Sequence, residues 1–352
     1  MSYLIQENAP LAKLTTLKIG GTARFFARAE SENDVVEALK FAAESDLRIF
    51  ILGGGSNVLV ADEDFEGLVL QIALKGISVA EDKDVVFVTA EAGEEWDEFV
   101  AFCTSRNLQG VECLSGIPGF VGGTPVQNVG AYGQEVSETI TKVKVLERNT
   151  GEIFEMSNAE CGFEYRASIF NTTKKNRFIV LSVTFVLKKN GLPKMVYKDL
   201  REFFGGKQPT LQETRAAVLQ IRAAKSMVID KRDPNSKSAG SFFKNPVVSK
   251  SKFAEIECRA REFEIENVPK FNVDDENVKI TAAWLIENSG FYKGYKFGNV
   301  GLSTKHTLAI VNLGNATAKD VLEFKDEIKK KVNEKFGVLL KPEPVFVGFE
   351  ES

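Results

Sequence analysis

Gly53-Gly54-Gly55-Ser56-Asn57 separates two apolar runs, Ile49-Phe50-Ile51-Leu52 before it and Val58-Leu59-Val60 after it. Apolar runs on either side of a glycine cluster are typical of two strands joined by a tight turn. Three consecutive glycines leave main-chain N–H groups unshielded by any Cβ, so a phosphate can approach the backbone closely. An ordinary glycine-rich hairpin turn explains the same residues, and two further stretches decide between the interpretations.

Both further stretches also combine glycine with residues that suit ligand contact. They are Ser115-Gly116-Ile117-Pro118-Gly119-Phe120-Val121-Gly122-Gly123 and Ala239-Gly240-Ser241-Phe242-Phe243-Lys244-Asn245-Pro246. The first lies in an uncharged segment, Cys113 to Gln134, that is long enough to span a membrane, but six glycines and two prolines make it a poor helix. We therefore predict a buried loop that wraps a ligand. Glycine loops of this kind would suit a cofactor with a pyrophosphate, such as FAD.

Composition narrows the class of protein. The chain has 352 residues, of which 43% are hydrophobic and 27% charged, which is enough for a packed core in two or three domains. A net charge of −4 gives no sign of the basic patch that nucleic acid binding requires. The N-terminal MSYLIQENAP lacks a basic region followed by an apolar one, so we expect no signal peptide.

Cysteine and histidine usage excludes several kinds of site. Cys103, Cys113, Cys161 and Cys258 show no CxxC spacing, which argues against a disulfide framework and a zinc site. His306 is the single histidine, so metal sites that need two histidines are excluded. The sequence also lacks GxGxxG after a strand and GxxxxGK[ST], so neither Rossmann nor P-loop binding is predicted. We expect no metal site.

The order of helical and strand-like patterns predicts an α+β protein. Strand-like runs dominate the first half without regular βαβ alternation, which argues against a doubly wound sheet. Helices are predicted, from apolar spacing or capping residues, at Ser31 with Asp34, Trp96 to Cys103, Thr210 to Lys225, Lys250 to Arg261, Ala282 to Ile286 and Thr317 with Asp320. Trp96 and Cys103 are expected to be core residues. Between Lys188 and Gln208 the pattern weakens, which we interpret as a surface excursion.

Several stretches, in a fixed order along the chain, carry a resemblance to a known family. They are Ile51-Leu52-Gly53-Gly54-Gly55-Ser56-Asn57, Gly116-Ile117-Pro118-Gly119 through Gly122, Gln127-Asn128-Val129-Gly130-Ala131-Tyr132-Gly133, Tyr165-Arg166-Ala167-Ser168, Gly240-Ser241-Phe242-Phe243-Lys244-Asn245-Pro246, and Pro342-Glu343. Together they resemble the UDP-N-acetylenolpyruvoylglucosamine reductases, the MurB family, over nearly the whole chain. Val196-Tyr197-Lys198-Asp199-Leu200 is similar to the tyrosine-bearing loop of the longer of the two family types.

The resemblance implies a fold, a reaction and a set of ligands. The fold would be a two-lobed FAD-binding domain of the vanillyl-alcohol-oxidase-like (PCMH) type, in residues 1–75 and 76–220, followed by an α+β substrate-binding domain in residues 221–352. NADPH would reduce FAD, and hydride would then reach the enolpyruvyl ether of a UDP-sugar to give UDP-N-acetylmuramate for peptidoglycan synthesis. The protein would be a cytoplasmic monomer whose partners are the UDP-sugar and NADPH, without nucleic acid or membrane insertion.

The resemblance also implies roles for individual residues. Cofactor contacts are expected from Gly53, Gly54, Gly55, Ser56, Asn57, Ser115, Gly116, Pro118, Gly119, Gly122, Gly123, Thr124, Gln127, Asn128, Gly130, Ala131 and Tyr132. Substrate contacts are expected from Tyr197, Arg222, Lys225 and Asn245. Tyr197 and Lys225 match positions that hold the UDP diphosphate in this family. Arg166, Ser241 and Glu343 would be the catalytic residues.

The side-chain chemistry of the three catalytic candidates suits this reaction. Hydride addition builds negative charge on the enolpyruvyl carboxylate, and the planar fork of Arg166 suits a carboxylate. Ser241 would donate a proton to the adjacent carbon. Because serine is a very weak acid, it needs a polarised site, to which Lys244 would contribute. Glu343, held between two prolines, would assist near the enolate. Taken singly, Arg166 also fits a salt bridge, Ser241 a helix N-cap or turn, and Glu343 a solvated loop.

Two departures from the family and two alternative functions stay open at this point. Val345 stands where many members carry a basic residue, and Thr15-Thr16-Leu17 stands in place of Asn-Thr-Phe. A flavin oxidase of the same fold is one alternative, although many such oxidases attach flavin through a histidine and His306 comes late in the chain. A non-enzymatic nucleotide-sugar-binding protein is the other, and it predicts a colourless preparation. His306 could lie near the substrate or cap a strand.

Overall fold

The computed structural model of the chain describes residues 5–349, so the N-terminal segment considered for a signal peptide lies partly outside the described residues. The chain divides into two compact units. The first unit comprises the described part of Met1–Pro10, Thr22–Gly55 and Phe65–Ile229, and the second comprises Leu11–Gly21, Ser56–Asp64 and the described part of Asp230–Ser352. Two short early segments therefore belong with the C-terminal part of the chain. The division into three domains at residues 75 and 220 stays a prediction.

Helices and strands alternate irregularly along the chain. The α-helices among residues 5–349 are α1 (Glu32–Glu44), α2 (Trp96–Ser105), α3 (Lys198–Phe204), α4 (Leu211–Ala224), α5 (Lys250–Glu262), α6 (Ala282–Glu287) and α7 (Ala318–Phe336). The strands are β1 (Ile5–Pro10), β2 (Thr22–Ala29), β3 (Arg48–Leu52), β4 (Val58–Val60), β5 (Phe65–Ile72), β6 (Ile77–Asp82), β7 (Val85–Glu91), β8 (Leu108–Gln109), β9 (Gly130–Ala131), β10 (Gln134–Glu135), β11 (Ile140–Glu147), β12 (Ile153–Ser157), β13 (Phe178–Lys189), β14 (Val247–Ser249), β15 (Lys270–Asn272), β16 (Asn277–Ile280), β17 (Lys296–Phe297), β18 (Val300–Leu302), β19 (Ile310–Asn312) and β20 (Val345–Val347). This mixture confirms the α+β class.

A four-stranded sheet in the order β1-β2-β5-β3 forms one part of the first unit. β2 and β3 both run parallel to β5, and α1 connects them, so this sheet contains a parallel crossover that the sequence pattern did not predict. α1 begins at the predicted capping box, in which Ser31 accepts from the N–H of Asp34 and the Asp34 side chain accepts from the N–H of Ser31. Leu68 and Leu70 on the central strand are fully buried.

A larger antiparallel sheet, in the order β12-β11-β13-β7-β6, forms the other part of the first unit. α2 contributes Trp96 and Phe99 to an aromatic cluster with Phe185 of β13, with ring centroids 4.8–5.8 Å apart. The predicted core position of Trp96 is therefore confirmed, and its indole N–H donates to the Leu114 carbonyl at 2.9 Å. Burial raises the pKa of the Cys103 thiol, which confirms Cys103 as inert packing.

The stretch from Lys188 to Gln208 is largely exposed, as the surface excursion predicts, but it also contains a helix that the sequence pattern did not predict. It contains α3, and Leu200 of this helix is fully buried against Cys113, Ala217 and Val218. The helix is hard to recognise in the sequence because it is seven residues long, too short for the apolar spacing of Leu200, Phe203 and Phe204 to repeat.

Within its described residues, the second unit contains short strands and the α-helices α5, α6 and α7. β4 pairs in parallel with β20, while β14-β16-β15 and β17-β18-β19 form two small antiparallel sheets. α7 begins at the predicted capping box of Thr317 and Asp320 and buries Val321, Phe324, Ile328 and Val332, as its apolar spacing predicts. No helix in the described part of the chain is long and apolar enough to cross a membrane. Residues 5–349 also contain no group of three or more His, Cys, Asp or Glu side chains that could hold a metal ion.

Candidate active site

The glycine turn lies at the end of β3, against the backbone of a second glycine-rich loop. A Cβ on Gly54 would lie 2.8 Å from the Cα of Gly119, so only glycine allows this approach. Gln71, a buried residue of β5, donates from its side-chain amide to the Gly53 carbonyl at 3.1 Å. This bond fixes the orientation of the first peptide group of the turn. Gln71 was missed by sequence reasoning, and its only signal is a polar residue within an apolar strand.

The second glycine loop is held by an ion pair. The N–H of Gly116 donates to the Asp97 carboxylate, which also accepts two hydrogen bonds from the Arg215 guanidinium. Burial raises the pKa of Asp97, but the bonds from Arg215 and Gly116 outweigh burial and leave this pKa below its usual value. The N–H of Trp96 anchors the same loop through the Gly119 carbonyl at 2.9 Å. Asp97 and Arg215 connect two helices to the loop, and no sequence pattern predicts this pairing.

Three of the predicted cofactor residues use their side chains within the loop structure itself. The Ser115 hydroxyl donates to the Glu112 carbonyl at 2.7 Å, and the Thr124 hydroxyl donates to the Val121 carbonyl at 2.8 Å. Asn128, only 2% exposed, makes side-chain bonds to the protein on both its oxygen and its nitrogen. These positions therefore shape the loops through side-chain bonds, whereas the glycines leave backbone accessible.

Two observations in the first unit fit an extended anionic ligand such as FAD. A Cβ on Gly123 would meet no heavy atom within 4 Å, so one side of this glycine faces open space. Among the described side chains, Arg222 Nε and Ser226 Oγ are buried without a hydrogen-bond partner. Arg222 Nε is 3.3 Å from the position of a Cβ on Gly116, so this buried cation adjoins the second glycine loop. A buried donor without a partner calls for a ligand or a bound water.

Arg166 lies in a tight turn whose conformation is unusual for an arginine. Glu164 and Ala167 exchange two backbone hydrogen bonds around it, and Arg166 has a left-handed φ of 54°. Its guanidinium donates to the carbonyl of Asn128 at 3.4 Å and to that of Gly130. The structure thus brings the predicted catalytic arginine together with the predicted Gln127–Gly133 stretch.

The predicted diphosphate residues also come together in the first unit. The Tyr132 and Tyr197 rings meet edge to face at 5.2 Å, and Lys225 Nζ forms an ion pair of 2.7 Å with Asp199. Burial lowers the pKa of Lys225, but the hydrogen bond that Lys225 donates to Asp199 and the nearby Tyr132, Asp199 and Tyr197 together outweigh burial, so the net pKa is raised and Lys225 stays charged. Arg222 interacts with the Tyr132 hydroxyl and with Asp97. Asp199 was missed, although it follows Tyr197 by two residues.

In the second unit, Ser241, Glu343 and Asn57 lie on adjoining segments. The N–H of Glu343 donates to the Phe242 carbonyl at 2.9 Å, and the N–H of Lys244 donates to the Lys341 carbonyl at 3.0 Å. The Asn57 side chain donates to the Glu343 carbonyl at 3.4 Å. Val345, which departs from the family pattern, begins β20 with 38% of its surface exposed, and its N–H donates to the Asn57 carbonyl.

Two further residues of the second unit have structural contacts that the sequence did not predict. The side-chain oxygen of Asn245 accepts from the N–H of Ala282 at 2.8 Å and so caps α6 from a distant segment. The hydroxyl of Thr16 donates to the Ser238 carbonyl at 2.7 Å, immediately before the Gly-Ser-Phe-Phe stretch. The roles of Asn245 toward substrate and of the threonine toward cofactor stay predictions.

Comparisons with known proteins agree with this geometry. The family model for the UDP-N-acetylenolpyruvoylglucosamine reductase C-terminal domain matches residues 233–347, and a model for an FAD binding domain matches residues 23–157. A UDP-N-acetylenolpyruvoylglucosamine reductase of Thermobifida fusca is 44% identical, covering 99% of this chain and 99% of the relative. The protein of the same name in Streptomyces coelicolor is 42% identical, covering 98% and 91%. The crystal structure of UDP-N-acetylenolpyruvylglucosamine reductase from Thermus caldophilus superposes with a TM-score of 0.65 at 26% identity, covering 97% and 99%.

Proposed function

The chain belongs to the family of UDP-N-acetylenolpyruvoylglucosamine reductases, and on this premise we propose that it converts the enolpyruvyl UDP-sugar to UDP-N-acetylmuramate with Ser241 as proton donor. The protein is an oxidoreductase that uses FAD as cofactor and NADPH as co-substrate in peptidoglycan synthesis. The observation that carries the proposal is the 44% identity over 99% of both chains. A cytoplasmic location and a monomeric state remain predictions.

The glycine loops would hold the cofactor in the first unit, and we assign Arg222 to the cofactor as well, although the resemblance implied that it contacts the substrate. The open side of Gly123 and the buried Nε of Arg222 support this assignment, since a pyrophosphate or a flavin oxygen is the kind of acceptor that such a donor needs. Bound FAD supplies the transfer of hydride from NADPH to the methylene carbon of the enolpyruvyl group. Tyr197 and Lys225 would hold the UDP diphosphate, and the raised pKa of Lys225 keeps its charge available.

Arg166 would stabilise the negative charge that develops on the substrate carboxylate. Its guanidinium is oriented by two main-chain carbonyls, so little reorganisation is required when charge develops. Ser241 would then transfer its hydroxyl proton to the carbon that carries the carboxylate and the ether oxygen, which completes the saturated lactyl ether. Glu343, whose backbone pairs with Phe242 beside Ser241, would assist this transfer as an acidic or hydrogen-bonding partner.

Two-step absorbance measurements test the proposal. Under anaerobic conditions, NADPH should bleach the flavin absorption of the purified protein within one turnover. Addition of the enolpyruvyl UDP-sugar should then restore the absorption and yield UDP-N-acetylmuramate. A yellow protein whose flavin is not bleached by NADPH, but is bleached by an alcohol or sugar and reoxidised by oxygen, would instead be a flavin oxidase. A colourless protein that binds only nucleotide-sugar would contradict the enzyme assignment.

A further inference from the structure

Asn128 connects the Gln127–Gly133 stretch to the turn that carries Arg166. Its side-chain nitrogen donates to the Glu164 carbonyl at 3.0 Å and to the Glu135 carboxylate at 2.8 Å. Its side-chain oxygen accepts from the N–H of Ser137 at 3.1 Å. Its own carbonyl accepts from the Arg166 guanidinium. One residue thus contacts both the base of the arginine turn and the arginine head group.

The backbone at this point favours asparagine or glycine over other residues. Asn128 has a left-handed φ of 45°, which asparagine tolerates far better than most residues. The same conformation directs the Asn128 and Gly130 carbonyls to Arg166, since both accept from its guanidinium. The backbone of Arg166 is also left-handed, with a φ of 54°. Two residues with sparsely populated backbone conformations are therefore joined by a hydrogen bond.

We propose that Asn128 is a positioning residue for Arg166, rather than a direct ligand of the cofactor. It fixes the carbonyls that orient the guanidinium, and it ties the Glu164–Ala167 turn to the preceding loop. Its side chain is 98% buried, with both polar atoms bonded to protein, so it acts on the reaction through Arg166. This inference rests on the proposed catalytic role of Arg166.

Asn128→Gly is the variant that tests this, because glycine keeps the left-handed backbone while removing the side-chain bonds. We expect FAD content and the rate of flavin reduction by NADPH to stay at wild-type values. The rate of flavin reoxidation by the enolpyruvyl UDP-sugar should fall about tenfold at saturating substrate, since a misplaced cation loses stabilisation mainly of the developing charge. The isosteric Asn128→Asp variant loses both side-chain N–H donors and places a carboxylate against that of Glu135. Its rate of flavin reoxidation should fall further than that of Asn128→Gly.

A double-mutant cycle with Arg166→Ala separates positioning from an independent effect. If Asn128 acts through Arg166, adding Asn128→Gly to the Arg166→Ala variant should not lower the rate of flavin reoxidation any further. Asn158→Ala is the matched control, because it removes two side-chain bonds to the Ser137 and Ile140 carbonyls without a contact to Arg166. It should lower the melting temperature without slowing reoxidation.

Several outcomes would overturn the inference. Loss of FAD or slower reduction by NADPH as the main effect of both Asn128 variants would make Asn128 a cofactor contact. Additive losses in the cycle, or unchanged reoxidation in Asn128→Asp, would also exclude a positioning role. If the proposed catalytic role of Arg166 were itself wrong, the flavin of the Arg166→Ala variant would be reoxidised at the wild-type rate, which distinguishes this case.

Discussion

The backbone N–H of Glu343 donates to the carbonyl of Phe242, which directly follows Ser241, so the proposed proton donor and its proposed acidic partner lie on adjoining segments of the second unit. An isolated bridge between Phe243 and Pro342 continues this pairing. The adjacency suits the proposed protonation, because a hydroxyl of very low acidity needs neighbours that polarise it. This pairing also explains how two stretches about a hundred residues apart can contribute side chains to the same proposed proton transfer.

Ser241→Ala should separate the two halves of the reaction. Removing the hydroxyl takes away the proposed proton source but leaves the first unit unaltered, so flavin reduction by NADPH should proceed at nearly the wild-type rate. Reoxidation by the enolpyruvyl UDP-sugar should fall by a factor of about 10²–10⁴, the usual contribution of a positioned general acid. Stopped-flow absorbance measures both rates. Ser251→Ala, an exposed serine of α5, is the control and should alter neither. Equal slowing of both halves in Ser241→Ala would remove the serine from this specific role.

Alanine substitutions at two glycines should distinguish structural from ligand-facing positions. A Cβ on Gly54 would lie 2.8 Å from Gly119 Cα, and a backbone atom cannot move aside cheaply, so Gly54→Ala should lower the melting temperature even without FAD. A Cβ on Gly123 would meet nothing within 4 Å, so Gly123→Ala should keep the melting temperature of the flavin-free protein. If FAD lies against Gly123, its affinity should nevertheless drop, as flavin fluorescence titration would show. Unchanged affinity in Gly123→Ala would exclude this glycine as a contact.

Sequence periodicity was sufficient for elements whose packing is local. The capping boxes at Ser31 and Thr317 and the buried face of α7 follow directly from spacing, because a helix repeats every 3.6 residues. α3 escaped recognition because its seven residues hold the apolar spacing of Leu200, Phe203 and Phe204 only once, without a repeat. The assignment of residues 11–21 and 56–64 to the second unit likewise depends on pairing with distant segments, such as β4 with β20.

The candidate site shows the same division between local and long-range information. Motifs were enough to predict Arg166, Ser241 and Glu343 as site residues, since each stands in a distinctive local stretch of sequence. Gln71, Asp97 and Asp199 were not recognised, because each matters only through contacts with residues at least 18 positions away in the sequence. A single buried or half-buried polar residue carries no pattern by which its partner can be predicted.

Lys225→Ala should weaken binding of the UDP moiety. Loss of one charge-assisted hydrogen bond typically costs about 1.5–3 kcal/mol, or roughly 10- to 150-fold in affinity. Asp199→Asn should act in the opposite direction, because Asp199 shares the Lys225 ammonium at 2.7 Å and would compete with a diphosphate for it. Titration calorimetry with UDP at two salt concentrations measures both effects.

The neighbouring Lys198 provides the matched control for Lys225. Its side chain is 77% exposed in a long contact with Glu202, so Lys198→Ala should leave UDP affinity nearly unchanged. Equal weakening by Lys198→Ala and Lys225→Ala would indicate a general electrostatic effect of the surface. Weaker UDP binding in Asp199→Asn would mean that Asp199 orients Lys225 instead of competing for it.

Arg166→Lys should reduce turnover although charge is conserved. A lysine ammonium is a point charge that cannot reproduce the planar fork by which Arg166 bonds the Asn128 and Gly130 carbonyls. We expect kcat to fall by about 10²-fold while flavin reduction by NADPH is retained. Arg177→Lys, in a partly exposed ion pair with Glu147, is the control and should change kcat little. Wild-type turnover in Arg166→Lys would exclude the charge-stabilising role.

Asp97→Asn should loosen the second glycine loop in a manner that depends on pH. The pKa of Asp97 in the folded protein lies below its usual value, so its ionised form stabilises the fold above the unfolded pKa of about 3.9, and this contribution is lost as the pH falls through the folded pKa. Asparagine does not titrate and cannot pair with Arg215. The variant should therefore show a lower melting temperature and weaker FAD binding at pH 7, and the difference from the wild type should shrink below about pH 4. Glu37→Gln, which breaks an exposed pair with Lys40 on α1, should show little difference at pH 7. A difference between Asp97→Asn and the wild type that stays constant into acid would show that Asp97 acts through shape and not through its charge.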